Sequence, residues 1–239
     1  LPAHEAIKLK ENLNKELEKA REFLNEKFYN MLKAKGIKIS KEEFLKLKPF
    51  HWGFEFYEAF DLEKPKEERG FDVIIGNPPY VRQEKIKDIK PLFSIFFETF
   101  EGTADLFVYF IEGSFKITKK KGYFSYIVSN KWLRAKYGKN IRIFLKKNTT
   151  IRKIIDFSGI KVFSDPTVDT IIYVIKKERP DKGNRIFYNN PGSLENIEEG
   201  GYYVKQSKLE DDVWNFVDER TLEIKEWIEN VGVPLKELD

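Results

Sequence analysis

The 239 residues include no cysteine, which excludes disulfides, thiol nucleophiles and cysteine-held zinc or iron–sulfur centres. Histidine is almost as scarce: His4 and His51 are the only two, so no metal site is expected. No apolar run reaches the roughly 18 residues that cross a bilayer. The opening Leu1-Pro-Ala-His4 lacks both the basic and the apolar regions of a signal peptide. No membrane partner is expected, and a cytoplasmic setting is the default. An initiator methionine is also lacking, which reads as a fragment or a processed chain. The last absence is positional. From Lys116 to Lys153 there are 13 basic side chains and no acidic one, where the average over the chain would put roughly six acids. From Ser193 to Asp239 the balance reverses, with 13 acidic residues against 5 basic. The net charge of +4 conceals both.

What is present begins with a helical pattern. Leu9, Leu13, Leu17, Ala20, Leu24, Phe28 and Met31 recur every three or four positions, which predicts one long helix from residue 5 to about 35 with an apolar stripe packed on its own domain. Gly36 suits its C-terminus. Ser40 followed by Glu43 predicts a capping box and a second short helix ending near Pro49. The middle of the chain alternates strand and helix. Phe71–Gly76 predicts a buried strand, Ala104–Thr118 a helix, Lys120–Gly122 a turn, Tyr123–Ser129 a second strand, Asn140–Lys147 a basic helix, and Ile151–Phe157 and Asp169–Lys176 two more strands. The link between the last two is too short for a crossover helix, so they form an antiparallel edge. This is part of an open α/β sheet. Beyond Arg179-Pro180 the alternation fades into turn clusters and one acidic helix near Leu222–Asn230.

The most specific feature is Asn77-Pro78-Pro79-Tyr80, directly after the first strand. Neither proline has an N–H, so the stretch offers acceptors and scarcely any donors. Each proline also pushes its predecessor into an extended conformation, which stiffens the loop. The Asn77 side-chain oxygen and the Pro78 carbonyl can then face one group carrying two N–H bonds, either an amino group on a planar base or a carboxamide. Tyr80 adds a flat face for stacking. The loop leaves the carboxyl end of a strand, where open α/β sheets place their ligands.

Asp72-Val-Ile-Ile-Gly-Asn-Pro-Pro-Tyr80 resembles motif IV of the amino-methylating DNA methyltransferases. Ala104-Asp-Leu-Phe-Val-Tyr-Phe-Ile111 resembles motif V, and Lys121-Gly-Tyr-Phe-Ser-Tyr-Ile-Val-Ser-Asn-Lys-Trp-Leu133 resembles motif VI. Lys161-Val-Phe163 ahead of Val168-Asp-Thr-Ile-Ile-Tyr173 is similar to the motif VIII region. The order is that of the gamma class of N6-adenine-specific enzymes. Lys48–Phe60 and the helix before it resemble the single-chain type IIG restriction–modification branch.

The resemblance implies a Rossmann-like sheet, partial in this chain and preceded by a long helix, and methyl transfer from S-adenosylmethionine to the exocyclic amino group of adenine in double-stranded DNA. It implies a flipped target base, with Asn77, Pro78, Pro79 and Tyr80 as the catalytic loop, and Tyr80 and Phe163 as its aromatic contacts. The basic window, with Lys131, Arg134, Lys136, Lys139 and Arg142, is then expected to contact DNA phosphates. His51-Trp52 is expected to be structural.

The family's glycine-rich cofactor loop is not found: none of the 14 glycines forms a Gly-x-Gly pair, and the cofactor-binding residues cannot be placed. The chain is therefore expected to be an internal fragment, inactive alone. Residues 1–48 would be a helical segment, 49–178 the second half of the catalytic domain, and 179–239 a connector toward a target-recognition domain. Glu223-Ile-Lys225 with Asp211 matches a restriction-nuclease motif only in its loosest form and is not expected to be one. Two rivals remain: a methyltransferase of protein glutamine, which uses the same loop on a carboxamide, and a non-catalytic DNA-binding or assembly module.

Overall fold

The structure, a computed structural model, describes residues 2–163 and 168–233. The chain forms two compact units, Leu1–Lys64 and Pro65–Asp239, so the helical segment runs beyond the expected residue 48. In the first unit, α1 spans Ala3–Ala34, α2 Lys41–Lys46 and α3 Trp52–Glu55. Helix α1 ends as its glycine predicts: Gly36 is left-handed (φ +81°), and Ile37 N–H donates back to Leu32 O at 3.1 Å while Gly36 N–H donates to Lys33 O at 2.9 Å. Only the C-terminal half of the apolar stripe is covered. Leu17, Ala20, Leu24, Phe28 and Met31 are part-buried, with Leu32 beside them fully buried, whereas Leu9 and Leu13 stay more than half exposed.

The capping box is complete: Glu43 N–H donates to Ser40 Oγ at 3.1 Å and Ser40 N–H donates to Glu43 Oε2 at 2.9 Å. It starts α2 where Phe44 must pack edge-on against Phe28, at 5.5 Å between ring centroids. Ser40→Ala should therefore cost about 1 kcal/mol of this unit's stability, with Ser40→Thr recovering most of it, as read by thermal unfolding. His51 is held within the same unit by a 2.8 Å hydrogen bond between its Nε2 and Asn25 Oδ1.

In the second unit, β1 is Phe71–Gly76, α4 Lys90–Phe96, α5 Leu106–Ile117, β2 Thr118–Ser129, α6 Lys139–Asn148, β3 Thr150–Asp156, β4 Thr170–Lys176, β5 Arg185–Asn189, β6 Tyr202–Lys205 and α7 Glu219–Val231. The six strands form one sheet in the order β1-β2-β4-β3-β5-β6. Pairs β1/β2 and β3/β5 are parallel, and β2/β4, β3/β4 and β5/β6 are antiparallel. The short link does make β3 and β4 antiparallel. Strand β4 nevertheless lies inside the sheet, between β2 and β3, and the antiparallel edge is β5/β6. The expected turn at Lys120–Gly122 survives as an irregularity within β2. Lys121 is left-handed there (φ +66°), and a Cβ on Gly122 would stand 2.8 Å from Asp72 O.

Alternation sorts the sheet into two faces. Phe124 and Val128 of β2, Ile171, Tyr173 and Ile175 of β4, and Ile151 and Ile154 of β3 belong to the same buried core as Phe107, Val108 and Ile111 of α5 and Ile141 and Leu145 of α6. Ile74 of β1 packs against that core. Its neighbours Val73 and Ile75 point to the other face and are 59% and 78% exposed. The apolar run 71–76 therefore does not read out as a buried strand. Among the described residues β1 is an edge, with no partner beyond it.

Residues 179–216 differ most from expectation. They supply β5 and β6, and they place Trp214 in the core at 1% exposure, against Trp132 at 5.5 Å. Gln206 is buried and fully used. Its Oε1 accepts from Ile151 N–H and Asn184 Nδ2, and its Nε2 donates to Thr149 O and Lys146 O. This stretch is part of the sheet domain rather than a connector.

Candidate active site

Strand β1 ends at Gly76, where a Cβ would stand 3.1 Å from the Tyr126 ring, so the ring of β2 lies close under the exit of the chain. Asn77 then emerges exposed, Pro78 turns inward and is buried, and Pro79 and Tyr80 return to the surface. The turn is closed by Val81 N–H donating to Pro79 O at 3.0 Å, and it is tied to the start of α5 by Leu106 N–H donating to Val81 O at 3.0 Å. Asp105, the residue before α5, accepts from Gln83 N–H at 2.9 Å. Among the described residues neither the Asn77 side chain nor the Pro78 carbonyl has a hydrogen-bond partner. Two stiffly held acceptors therefore stand free at one sheet edge.

Tyr80 is anchored from beneath, its hydroxyl donating to Ile127 O at 3.4 Å. Partial burial raises its phenol above the usual value, so it stays protonated as a donor at neutral pH. Its ring faces the edge of Phe163 at 6.2 Å between centroids and 71° between planes. Two aromatics 83 positions apart in sequence, 80 and 163, thus meet above the strand ends. Beside Tyr80 opens a small cleft of about 80 Å³, lined by Tyr80, Arg82, Asp105, Ser129, Lys131 and Val168 among others. Arg82, Asp105 and Ser129 were not expected as site residues, although Asp105 and Ser129 fall within the motif V and motif VI stretches. The usable signal was position: Arg82 stands two residues past Tyr80, and Ser129 closes a strand parallel to the one that leads into the loop.

The basic residues separate into three kinds. Lys131, Arg134 and Lys136 are exposed and close no ion pair among the described residues. Lys139 is half exposed and pairs with Asp212 at 2.5 Å. Arg142 does not reach the surface at all. It is fully buried, and its guanidinium donates to the backbone carbonyls of Trp132, Ala135, Asp211 and Asp212. This corrects the expected phosphate contact. Position 142 falls on the core-facing side of α6, and the donors point into the 211–212 segment that crosses it. Burial lowers the Arg142 pKa from its usual value, opposed by the Asp212 charge; it remains a cation.

The acids of the segment expected to be a connector meet other residues of the basic window. Asp211 pairs with Lys146 at 2.9 Å and Glu198 with Lys153. Among the described residues no group of three metal-ligating side chains gathers, and no helix is long and apolar enough to cross a membrane.

A nucleoside-bearing cofactor needs a strand-to-helix turn with glycines that let backbone N–H groups approach it. The left-handed glycines are Gly36, Gly70, Gly159 and Gly200, and none opens a helix after a strand. The described residues do not fit S-adenosylmethionine.

The mixed sheet with an acceptor-rich loop at its strand ends defines an α/β protein of the methyltransferase kind. The profile of the Eco57I restriction-modification methylase family matches residues 3–163, and the chain belongs to that family. It is 31% identical over 165 residues to the type II restriction enzyme and methyltransferase RM.Eco57I of Escherichia coli, covering 67% of this chain and 15% of that protein. It is 37% identical over 114 residues to the type II methyltransferase M.BstVI of Geobacillus stearothermophilus, covering 47% of this chain and 20% of the relative. Among solved structures, the type IIG restriction endonuclease BpuSI superposes with a TM-score of 0.47 at 21% identity, over 66% of this chain and 22% of that one. The chain thus spans no more than a fifth of the length of these two curated relatives.

Proposed function

We propose that this chain carries the acceptor side of a site that methylates the exocyclic amino group of adenine in double-stranded DNA, within a restriction–modification enzyme. The observation that carries the reading is the pair of free acceptors, Asn77 and the Pro78 carbonyl, beside the Tyr80 ring. Adenine's amino nitrogen shares its lone pair with the ring and is a poor nucleophile. Two acceptors gripping its N–H bonds draw the nitrogen toward a tetrahedral shape and free the lone pair. As the nitrogen gains a fourth bond, positive charge develops on it. The Asn77 oxygen and the Pro78 carbonyl dipole stabilise that charge more in the transition state than before it. The extra proton leaves afterward to water, so no strong base is required. A stacked adenine cannot reach such a loop, so the base must be flipped out, with Tyr80 on its face and Phe163 at its edge. S-adenosylmethionine is the methyl donor that this reading calls for; the residues described here do not form its cradle, and no step is derived through it.

Lys131, Arg134 and Lys136, which close no ion pair among the described residues, are the cations proposed to hold DNA phosphates, and Lys131 lines the cleft beside that loop. Charge-neutralising variants should show it: Lys131→Ala and Arg134→Ala should each lower the slope of log affinity against log salt by about one. Lys139→Ala should change it less, because Asp212 already competes for that amine. Slopes equal to wild type at positions 131 and 134 would remove the phosphate contacts. The rival, methylation of a protein glutamine, uses the same acceptors but has no use for these cations. Incubating the protein at its natural length with a labelled methyl donor, DNA and a glutamine-bearing peptide separates the two: label in DNA supports this reading, and label in the peptide alone overturns it.

A further inference from the structure

Asn130 follows the last residue of β2 and stands between Ser129 and Lys131, both of which line the cleft beside Tyr80. Its own side chain reaches past β4 to the end of β3. The Asn130 Nδ2 donates to Ser158 Oγ at 2.8 Å and to Asp156 Oδ1 at 3.4 Å, while its backbone N–H donates to Asp169 O at 3.0 Å. Asn130 therefore holds both ends of the connection that leaves β3 and returns into β4, the connection on which Phe163 lies.

The anchor beneath it is unusually well supplied. Asp156 is 3% exposed, and a carboxylate so buried is tolerated only when donors surround it. Its Oδ1 accepts from Ser158 N–H at 3.0 Å and from Ser158 Oγ at 2.6 Å. Its Oδ2 accepts from the Tyr188 hydroxyl at 3.2 Å. From the end of β5, Asn190 Nδ2 donates to the carbonyls of Asp156 at 2.6 Å and Ser158 at 3.3 Å. Gly159 N–H donates to Asp169 Oδ1 at 3.3 Å and clamps the two ends together. On the other side, Tyr80 is bonded to Ile127 O in β2. Strand β2 thus carries the support of one ring and, three residues later, the side chain that fixes the mount of the other.

We infer that Asn130 is a positioning residue for adenine methylation: it sets Phe163 opposite Tyr80 before a base arrives. This rests on the reading of those two rings as neighbours of the flipped base. Holding a clamp in its binding geometry removes an ordering cost that the incoming nucleotide would otherwise bear. The role predicts a defect in capturing the flipped base, with the methyl-transfer chemistry itself spared.

The test compares the natural-length protein with its Asn130→Ala and Ser158→Ala variants on two DNA duplexes. In one the target adenine pairs with thymine; in the other it faces an abasic site, which lowers the cost of flipping. On the paired target, Asn130→Ala should lower kcat/KM about tenfold, the worth of one hydrogen bond to a buried network. On the abasic-site duplex the deficit should shrink to about twofold or less, since flipping is already favoured there. Ser158→Ala, which removes the other end of the same bond, should match it, and the double variant should be no worse than either alone. An equal deficit on both duplexes, or none on the paired one, would overturn the role of Asn130. A 2-aminopurine at the target position reports separately on the underlying reading. If it fails to brighten on binding wild-type protein, no base is flipped, and the Tyr80–Phe163 assignment falls along with this inference.

Discussion

With Asn77 replaced by alanine, methyl transfer to adenine is expected to fall by roughly a hundredfold to a thousandfold, the effect of removing one preorganised partner of a developing charge. Folding should be nearly untouched. Asn77 is exposed and its side chain has no partner among the described residues, so its removal breaks nothing in the resting protein. Affinity for DNA should also hold within about threefold, because the proposed phosphate contacts lie elsewhere. The loss therefore belongs in kcat. A variant that loses affinity and stability together would instead place Asn77 in the scaffold. Asn77→Asp keeps the acceptor and adds a charge, so it should retain more activity than alanine.

Arg142→Ala is expected to act in the opposite way, through stability first. Removing this fully buried side chain strands the carbonyls of Trp132, Ala135, Asp211 and Asp212. A loss of roughly 3 kcal/mol or more follows from that many unsatisfied buried acceptors. Arg142→Lys should recover little, since a single ammonium cannot reach four carbonyls spread around the edges of the guanidinium fork. Thermal melting of the wild type and the two variants decides it. If Arg142→Ala melts normally and changes only the salt dependence of DNA binding, the residue is a phosphate contact after all.

Arg142 and Asn77 also show what the sequence could and could not convey. The loop was legible because its chemistry is local: proline removes donors wherever it stands, and a strand followed by Asn-Pro-Pro-Tyr places acceptors at a sheet edge without long-range information. Helix α1, its Gly36 terminus and the Ser40–Glu43 box were legible for the same reason. The acid-free window overstated the free charge because charge pairing is not local. Lys139, Lys146 and Lys153 find Asp212, Asp211 and Glu198, between 45 and 73 positions away, as the fold lays the acidic segment across α6 and β3. The burial of β1 failed on similar grounds. An apolar run shows that a strand can be covered, but whether another strand lies beside it depends on the rest of the sheet. Asn130 and Asp156 carried no signal, since their partners meet only when β2, β3 and β5 end at the same height.

The nucleosides recovered from DNA after reaction decide most directly whether this loop methylates adenine. Duplex DNA should be incubated with a deuterated methyl donor and the natural-length protein, then digested and analysed by mass spectrometry. The proposed function predicts labelled N6-methyl-2′-deoxyadenosine with wild-type protein and its near-complete loss with Asn77→Ala. A labelled methylcytosine, or labelled N6-methyladenine that persists undiminished in the Asn77→Ala variant, would contradict it.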